Sequence, residues 1–193
     1  MDDHAEELPN RHTLRYPGFD YRHPGAYFVT LCTHLRRSLF GHVQNGAMLR
    51  NACGQAAYDC WQAIPGHIPH VGLDYFVVMP NHLHGILLLN SGTGTACCAP
   101  MATRGCFGAM IAGSLAVIVR SYKSAVTSRI RSLAKDTSLI VWQRNYYEHI
   151  LRNERELAEV RTYIDRNPLQ WSFDRENPET SAADDDLPWE DSP

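Results

Sequence analysis

Apolar residues recur along the chain with two distinct periods, and the switch between them predicts where strands give way to helices. Ala26-Tyr-Phe-Val-Thr-Leu-Cys-Thr33 is β-branched and aromatic, apolar on both alternating faces, and follows Pro24-Gly25, so it predicts a central strand. Leu73–Met79 and His82–Leu89 are two further strands, joined through Pro80-Asn81 as an antiparallel hairpin. From about 47 to 64, Ala52, Ala56, Ala57, Cys60, Trp61 and Ile64 recur at three- and four-residue steps, and Pro65-Gly66 closes a predicted helix. A second helix is expected over 114–132, its stripe formed by Leu115, Ile118, Val119, Tyr122, Val126 and Ile130. A last helix starts at Asn153, an N-cap with Glu156 three residues on. It stops at Asn167, because Pro168 disfavours helical geometry in the residue before it. Leu157, Val160 and Ile164 are its inward stripe.

Between the strands and the second helix, residues 90–108 form a loop rich in small residues. Beyond Trp171 the acidic sequence lacks core-forming residues and predicts a disordered tail. With 193 residues, the expectation is an acidic tail over 1–10, one domain over 11–172 and a second acidic tail over 173–193.

Charge changes the picture only when resolved along the chain. The net charge is -3, yet residues 11–175 hold 18 basic against 10 acidic side chains, and 16 of the 18 are Arg. Arg forks suit phosphate contact. Arg120, Lys123 and Arg131 flank the stripe of the second helix, with Thr127 on the same side. With Arg144, they are the candidate nucleic-acid contacts. No basic start leads into an apolar run and no stretch approaches membrane length, which predicts a cytoplasmic protein, nucleoid-associated when on DNA. Six cysteines without a Cys-x-x-Cys pair predict reduced thiols and no structural zinc.

Candidate chemistry centres on His82 and His84. Two apart on a strand, both imidazoles face one side with Cα atoms about 6.6 Å apart, close enough to converge on one cation. Polar rings between two strongly apolar strands need a compensating partner. Tyr163 lies near the edge of the last helix's stripe, and Asn167 is four residues later on the same face. A hydroxyl and an amide oxygen are thus presented together. Tyr146 and Tyr147 are rival nucleophiles on sequence grounds. The absence of His-Glu-x-x-His argues against a zinc hydrolase, and the length leaves no room for a helicase-linked nickase.

Met79-Pro-Asn-His-Leu-His-Gly-Ile86 resembles the His-hydrophobic-His motif of the HUH endonucleases in the form found in single-tyrosine transposases, above all the REP-associated tyrosine transposases. Pro24–Cys32 resembles their first strand, Trp142–Ile150 the block before the last helix, and Leu157–Pro168 the helix bearing the nucleophile; the likeness spans roughly residues 11–172. The resemblance implies an α+β, ferredoxin-like antiparallel sheet with packed helices. It makes His82 and His84 metal ligands, Tyr163 the nucleophile and Asn167 a third ligand. It further implies a divalent cation, Mg²⁺ or Mn²⁺, and a 5′-phosphotyrosine intermediate on single-stranded or hairpin DNA drawn from palindromic repeats. The protein would act as a monomer or homodimer. The alternative is a catalytically inactive, hairpin-binding regulator of the same fold.

Overall fold

The computed structural model describes residues 24–90 and 114–178. The acidic N-terminus and all of the 90–108 loop after Asn90 lie outside them, as do Cys97, Cys98 and Cys106. Within them run β1 (Gly25–Cys32), β2 (Gly41–Gln44), β3 (Ala47–Arg50), α1 (Ala52–Gln62), α2 (Ile64–His67), β4 (Val71–Val78), β5 (His82–Leu89), α3 (Leu115–Ala134), β6 (Tyr147–Leu151) and α4 (Glu154–Arg166). Short 3₁₀ turns occupy His34–Arg36 and Trp171–Phe173.

Four strands form one sheet in the order β4-β5-β1-β6, every neighbouring pair antiparallel. Leaving out the small β2–β3 hairpin, the one-turn α2 and the final α4, the chain runs strand, helix, strand, strand, helix, strand. This is the α+β, ferredoxin-like arrangement expected of it. The β4–β5 turn at Pro80-Asn81 is tight, with the Met79 amide donating to the His82 carbonyl at 2.8 Å.

Side-chain alternation divides the sheet into two faces. Val29, Leu31, Leu83, Leu87 and Leu89 point into the larger core under α1 and α3, where Trp61, Ile118, Tyr122 and Val126 meet them. Phe28 and Ile86 point the other way, into a smaller core closed by Val160 and Ile164 of α4. Thr30, His82 and His84 belong to this second face, since Thr30 pairs with His84 and Cys32 with His82.

Three expectations are corrected. Residues 47–50 are not helical: Asn45 and Gly46, at φ 51° and 73°, make a tight hairpin turn between β2 and β3, and the helix begins only after Asn51, whose side chain accepts the Gly54 amide. Asn-Gly was the available signal, outweighed by an alanine periodicity that continues beyond it. Tyr147–Leu151, read only as an aromatic block, is the edge strand β6. The chain beyond Trp171 does not leave the fold at 173, because Asp174, Glu176 and Asn177 are buried. Glu176 finds Cys32, Arg36 and Asn81 far back in the sequence, and all these partners are polar, so no apolar pattern announces the segment.

Asn153 caps α4 as expected, its Oδ1 accepting from the Glu156 amide at 2.9 Å, while Glu156 accepts from the Arg152 amide. Arg161 ties the same helix to β4 through Asp74, at 3.0 Å from Nε to Oδ1. Cap and ion pair together fix the rotation of α4 over the sheet, which decides where Tyr163 points.

Candidate active site

His82 and His84 are fully buried, yet each keeps one nitrogen aimed at the space under α4. Asn81 donates its amide hydrogens to the carbonyls of Arg36 and Glu176, so its Oδ1 is an acceptor. His82 Nδ1 lies 2.8 Å from that oxygen and must therefore donate to it. The proton on Nδ1 leaves a lone pair on Nε2, an atom buried without a hydrogen-bond partner among the described residues. Thr30 Oγ1 holds His84 Nδ1 at 2.9 Å, and His84 Nε2 faces the Tyr163 hydroxyl at 3.2 Å. Outer partners that fix ring orientation in this way are what metal-ligating histidines use.

Asp174, which sequence reasoning assigned to the tail, completes the group. Ligand-capable atoms of His82, His84 and Asp174 all lie within 4.8 Å of one another. Such a cluster of two imidazoles and a carboxylate could hold a metal ion. Asn167 is present too: its amide nitrogen donates to Asp174 Oδ2 at 2.6 Å, while its Oδ1 is buried with no hydrogen-bond partner among the described residues. Two orphaned acceptors, His82 Nε2 and Asn167 Oδ1, beside a buried carboxylate fit a cation well and an apolar filling poorly.

Glu176 clasps Asp174 in place. Its carboxylate accepts from Arg36 at 3.0 Å and from the Cys32 thiol at 3.2 Å, its carbonyl from Asn81, and its own amide donates to Asp174 Oδ1. The Trp171 ring lies 6.0 Å from that of His82. Composition could not find this segment, because its meaning lies in contacts reaching back as far as 144 positions.

Electrostatics follow from burial. Desolvation holds His82 below its ordinary pKa against the opposing charges of Asp174 and Glu176, and holds His84 well below it, helped by His82. Tyr163 is pushed far up, chiefly by burial and then by the Asp174 charge. The consequence for stability has a definite sign. As pH falls through about 6.5 the unfolded chain takes up protons on these histidines and the folded protein does not. Stability should therefore fall toward acid by up to about 1.4 kcal/mol per pH unit per histidine. Urea midpoints between pH 7 and 5 read this slope, which should be shallower in His84→Ala.

The rival tyrosines stand elsewhere. Tyr147 packs edge-on against Phe28 from β6, and Tyr146 sits against the larger core with Lys123 over its ring. The basic candidates do not converge on the histidines either, because α3 covers the opposite face of the sheet. Lys123 donates to the carbonyls of Gln143 and Asn145, and burial pulls its pKa down to about 8; Arg131 Nε donates to the Leu139 carbonyl. Both pin the 139–145 connection to α3. They also line a groove of about 710 Å³ with Thr127, Ser128 and Lys135, while Arg120 and Arg144 are exposed. The described cysteines, Cys32, Cys53 and Cys60, are free thiols, as expected.

An uncharacterized protein of Haemophilus influenzae is 38% identical over 171 residues, which cover 87% of this chain and 93% of that protein. This chain belongs to that protein's family. No family model matches it. A solved structure of a REP-associated tyrosine transposase bound to a REP hairpin superimposes with a TM-score of 0.50 at 18% identity, over 79% of this chain and 72% of that one. The chain shares the fold of that solved structure. No helix among the described residues is long and apolar enough to cross a membrane.

Proposed function

We propose that this member of the HUH transposase fold is a metal-dependent transposase that cleaves and rejoins single-stranded or hairpin DNA through Tyr163. One observation carries the reading: the Tyr163 hydroxyl lies 3.2 Å from His84 Nε2, at the edge of the buried His82, His84 and Asp174 cluster. A tyrosine beside a candidate metal centre is the pairing that phosphoryl transfer to protein requires.

His82, His84 and Asp174 would hold the ion, with Asn167 Oδ1 as a further oxygen ligand. When bound, Mg²⁺ or Mn²⁺ supplies Lewis-acid polarisation of the scissile phosphate. Asn81 and Thr30 keep both rings in place, and Glu176 keeps Asp174 turned inward. The Tyr163 oxygen then bonds to phosphorus as the bond from phosphorus to the 3′ oxygen breaks. The tyrosine proton is lost to a neighbouring acceptor and one proton ends on the departing 3′ oxygen, leaving a 5′-phosphotyrosyl enzyme and a free 3′-hydroxyl. Attack by a second 3′-hydroxyl reverses the step and joins strands without ATP. Arg120, Arg144 and the groove that Lys123 and Arg131 line are assigned to the DNA backbone on the other side of the sheet, and the substrate to a palindromic hairpin.

The test is a labelled hairpin incubated with protein and Mn²⁺, Mg²⁺ or EDTA, then run on a denaturing gel. A shifted, protease-sensitive band that EDTA abolishes is expected. Metal-dependent cleavage without that band would assign the attack to water. A second reading, hairpin binding without cleavage, is favoured by the burial that keeps the Tyr163 hydroxyl protonated; intact binding with no cleavage under any metal would select it.

A further inference from the structure

Arg175, next to Asp174 in the chain, is a cation that the chemistry above leaves unused. Its guanidinium lies 5.7 Å over the ring of Tyr147. Tyr147 pairs with Thr30 and Thr30 with His84, so the arginine stands over the row of residues that crosses the sheet through the candidate site. Tyr147 meets Phe28 edge-on, and Phe28 in turn stacks on the His84 ring at 5.4 Å and meets the Tyr163 ring edge-on at 6.1 Å, so the ring under Arg175 borders the candidate site.

Arg175 also differs from its neighbour in what it is bonded to. Arg36 is spent on Glu176 at 3.0 Å and on the Arg175 carbonyl at 2.9 Å. Arg175 meets Glu176 at 3.5 Å from Nε to Oε1, beyond a short charge-assisted hydrogen bond, and its side chain is 36% exposed. A half-open guanidinium over an aromatic ring suits an incoming phosphodiester. In phosphoryl transfer the non-bridging oxygens carry the charge that must be offset, and a preorganised cation there acts on the transition state.

We propose that Arg175 is a catalytic residue, its guanidinium binding a non-bridging oxygen of the scissile phosphate while the Tyr163 oxygen bonds phosphorus and the 3′ oxygen departs with a proton. The assignment rests on the phosphotyrosine reading above. It is tested by single-turnover adduct formation on a labelled hairpin with Mn²⁺, alongside hairpin affinity in EDTA, for wild type, Arg175→Ala and Arg175→Lys. Arg175→Ala should slow adduct formation about 100-fold while affinity stays within about threefold and the thermal midpoint is kept, because the Arg175 carbonyl that Arg36 uses is unchanged. Arg175→Lys should recover part of the rate, and millimolar guanidinium should rescue Arg175→Ala, which a merely structural role would not permit. A methylphosphonate at the scissile position, neutral at the atom Arg175 serves, should close the gap between wild type and Arg175→Ala. Equal rates for wild type and Arg175→Ala, or a loss confined to affinity, overturn the assignment. No adduct even with wild type removes the underlying reading and this assignment with it.

Discussion

Tyr163→Phe is expected to abolish the covalent protein–DNA adduct and to leave hairpin binding at wild-type strength. The substitution removes one oxygen and nothing else, so the ring keeps its edge-on contact with Phe28 at 6.1 Å and its place beside His84. Loss of a nucleophile costs on the order of 10³-fold or more in rate, because no other group can form the same bond. The folded state loses the 3.2 Å contact with His84 Nε2, a deletion of about 1 kcal/mol, so the variant remains folded at 25 °C. Denaturing gels give the adduct and fluorescence anisotropy the affinity. An adduct that persists in the phenylalanine variant would be traced by mass spectrometry, and its appearance on Tyr146 or Tyr147 would overturn the assignment of Tyr163.

Gly85→Ala is expected to be the most damaging small substitution in the sheet. A Cβ built at Gly85 falls 2.4 Å from Trp61 Cζ2 and 3.0 Å from two further indole atoms. Trp61 cannot retreat: it is fully buried, with the rings of Tyr122 at 5.1 Å and Phe76 at 5.9 Å against it. Forcing an extra methyl into a packed core costs about 1–3 kcal/mol, and this site belongs at the upper end because the clashing group is rigid. Urea denaturation measures the loss. Trp61→Leu makes room, so in that background Gly85→Ala should cost clearly less, and an unchanged cost would sink the explanation. The effect reaches the candidate site, because Gly85 follows His84 on β5 and any shift of that strand moves both imidazoles.

The two sides of β5 show how far local pattern carries. Alternation with period two placed His82 and His84 on one face before any fold was known, and the neighbouring apolar residues marked the other face as core. Period and capping likewise located α3 and α4, and the four-residue spacing of Tyr163 and Asn167 put them on one helical face. Local signals failed where two of them competed. Alanines at helical spacing obscured the Asn45-Gly46 turn, and an aromatic run at 146–147 hid an edge strand whose pairing with β1 is non-local. Lys123 and Arg131 were legible as a basic row, but their hydrogen bonds to the carbonyls of Leu139, Gln143 and Asn145 were not.

What the sequence alone determined is therefore whatever a repeat of two or 3.6 residues, a cap or a turn dictates over a few positions: the strand with its paired imidazoles, the helix with its tyrosine, and the α+β class their succession implies. Tertiary structure decided which of those faces meet. Antiparallel pairing brought Thr30 beside His84, the packing of α4 set Tyr163 over it, and an acidic segment with no apolar pattern folded back so that Asp174 and Glu176 reached the same place. The reason is physical: buried polar groups are stabilised by partners that can lie anywhere along the chain, and no local period records them.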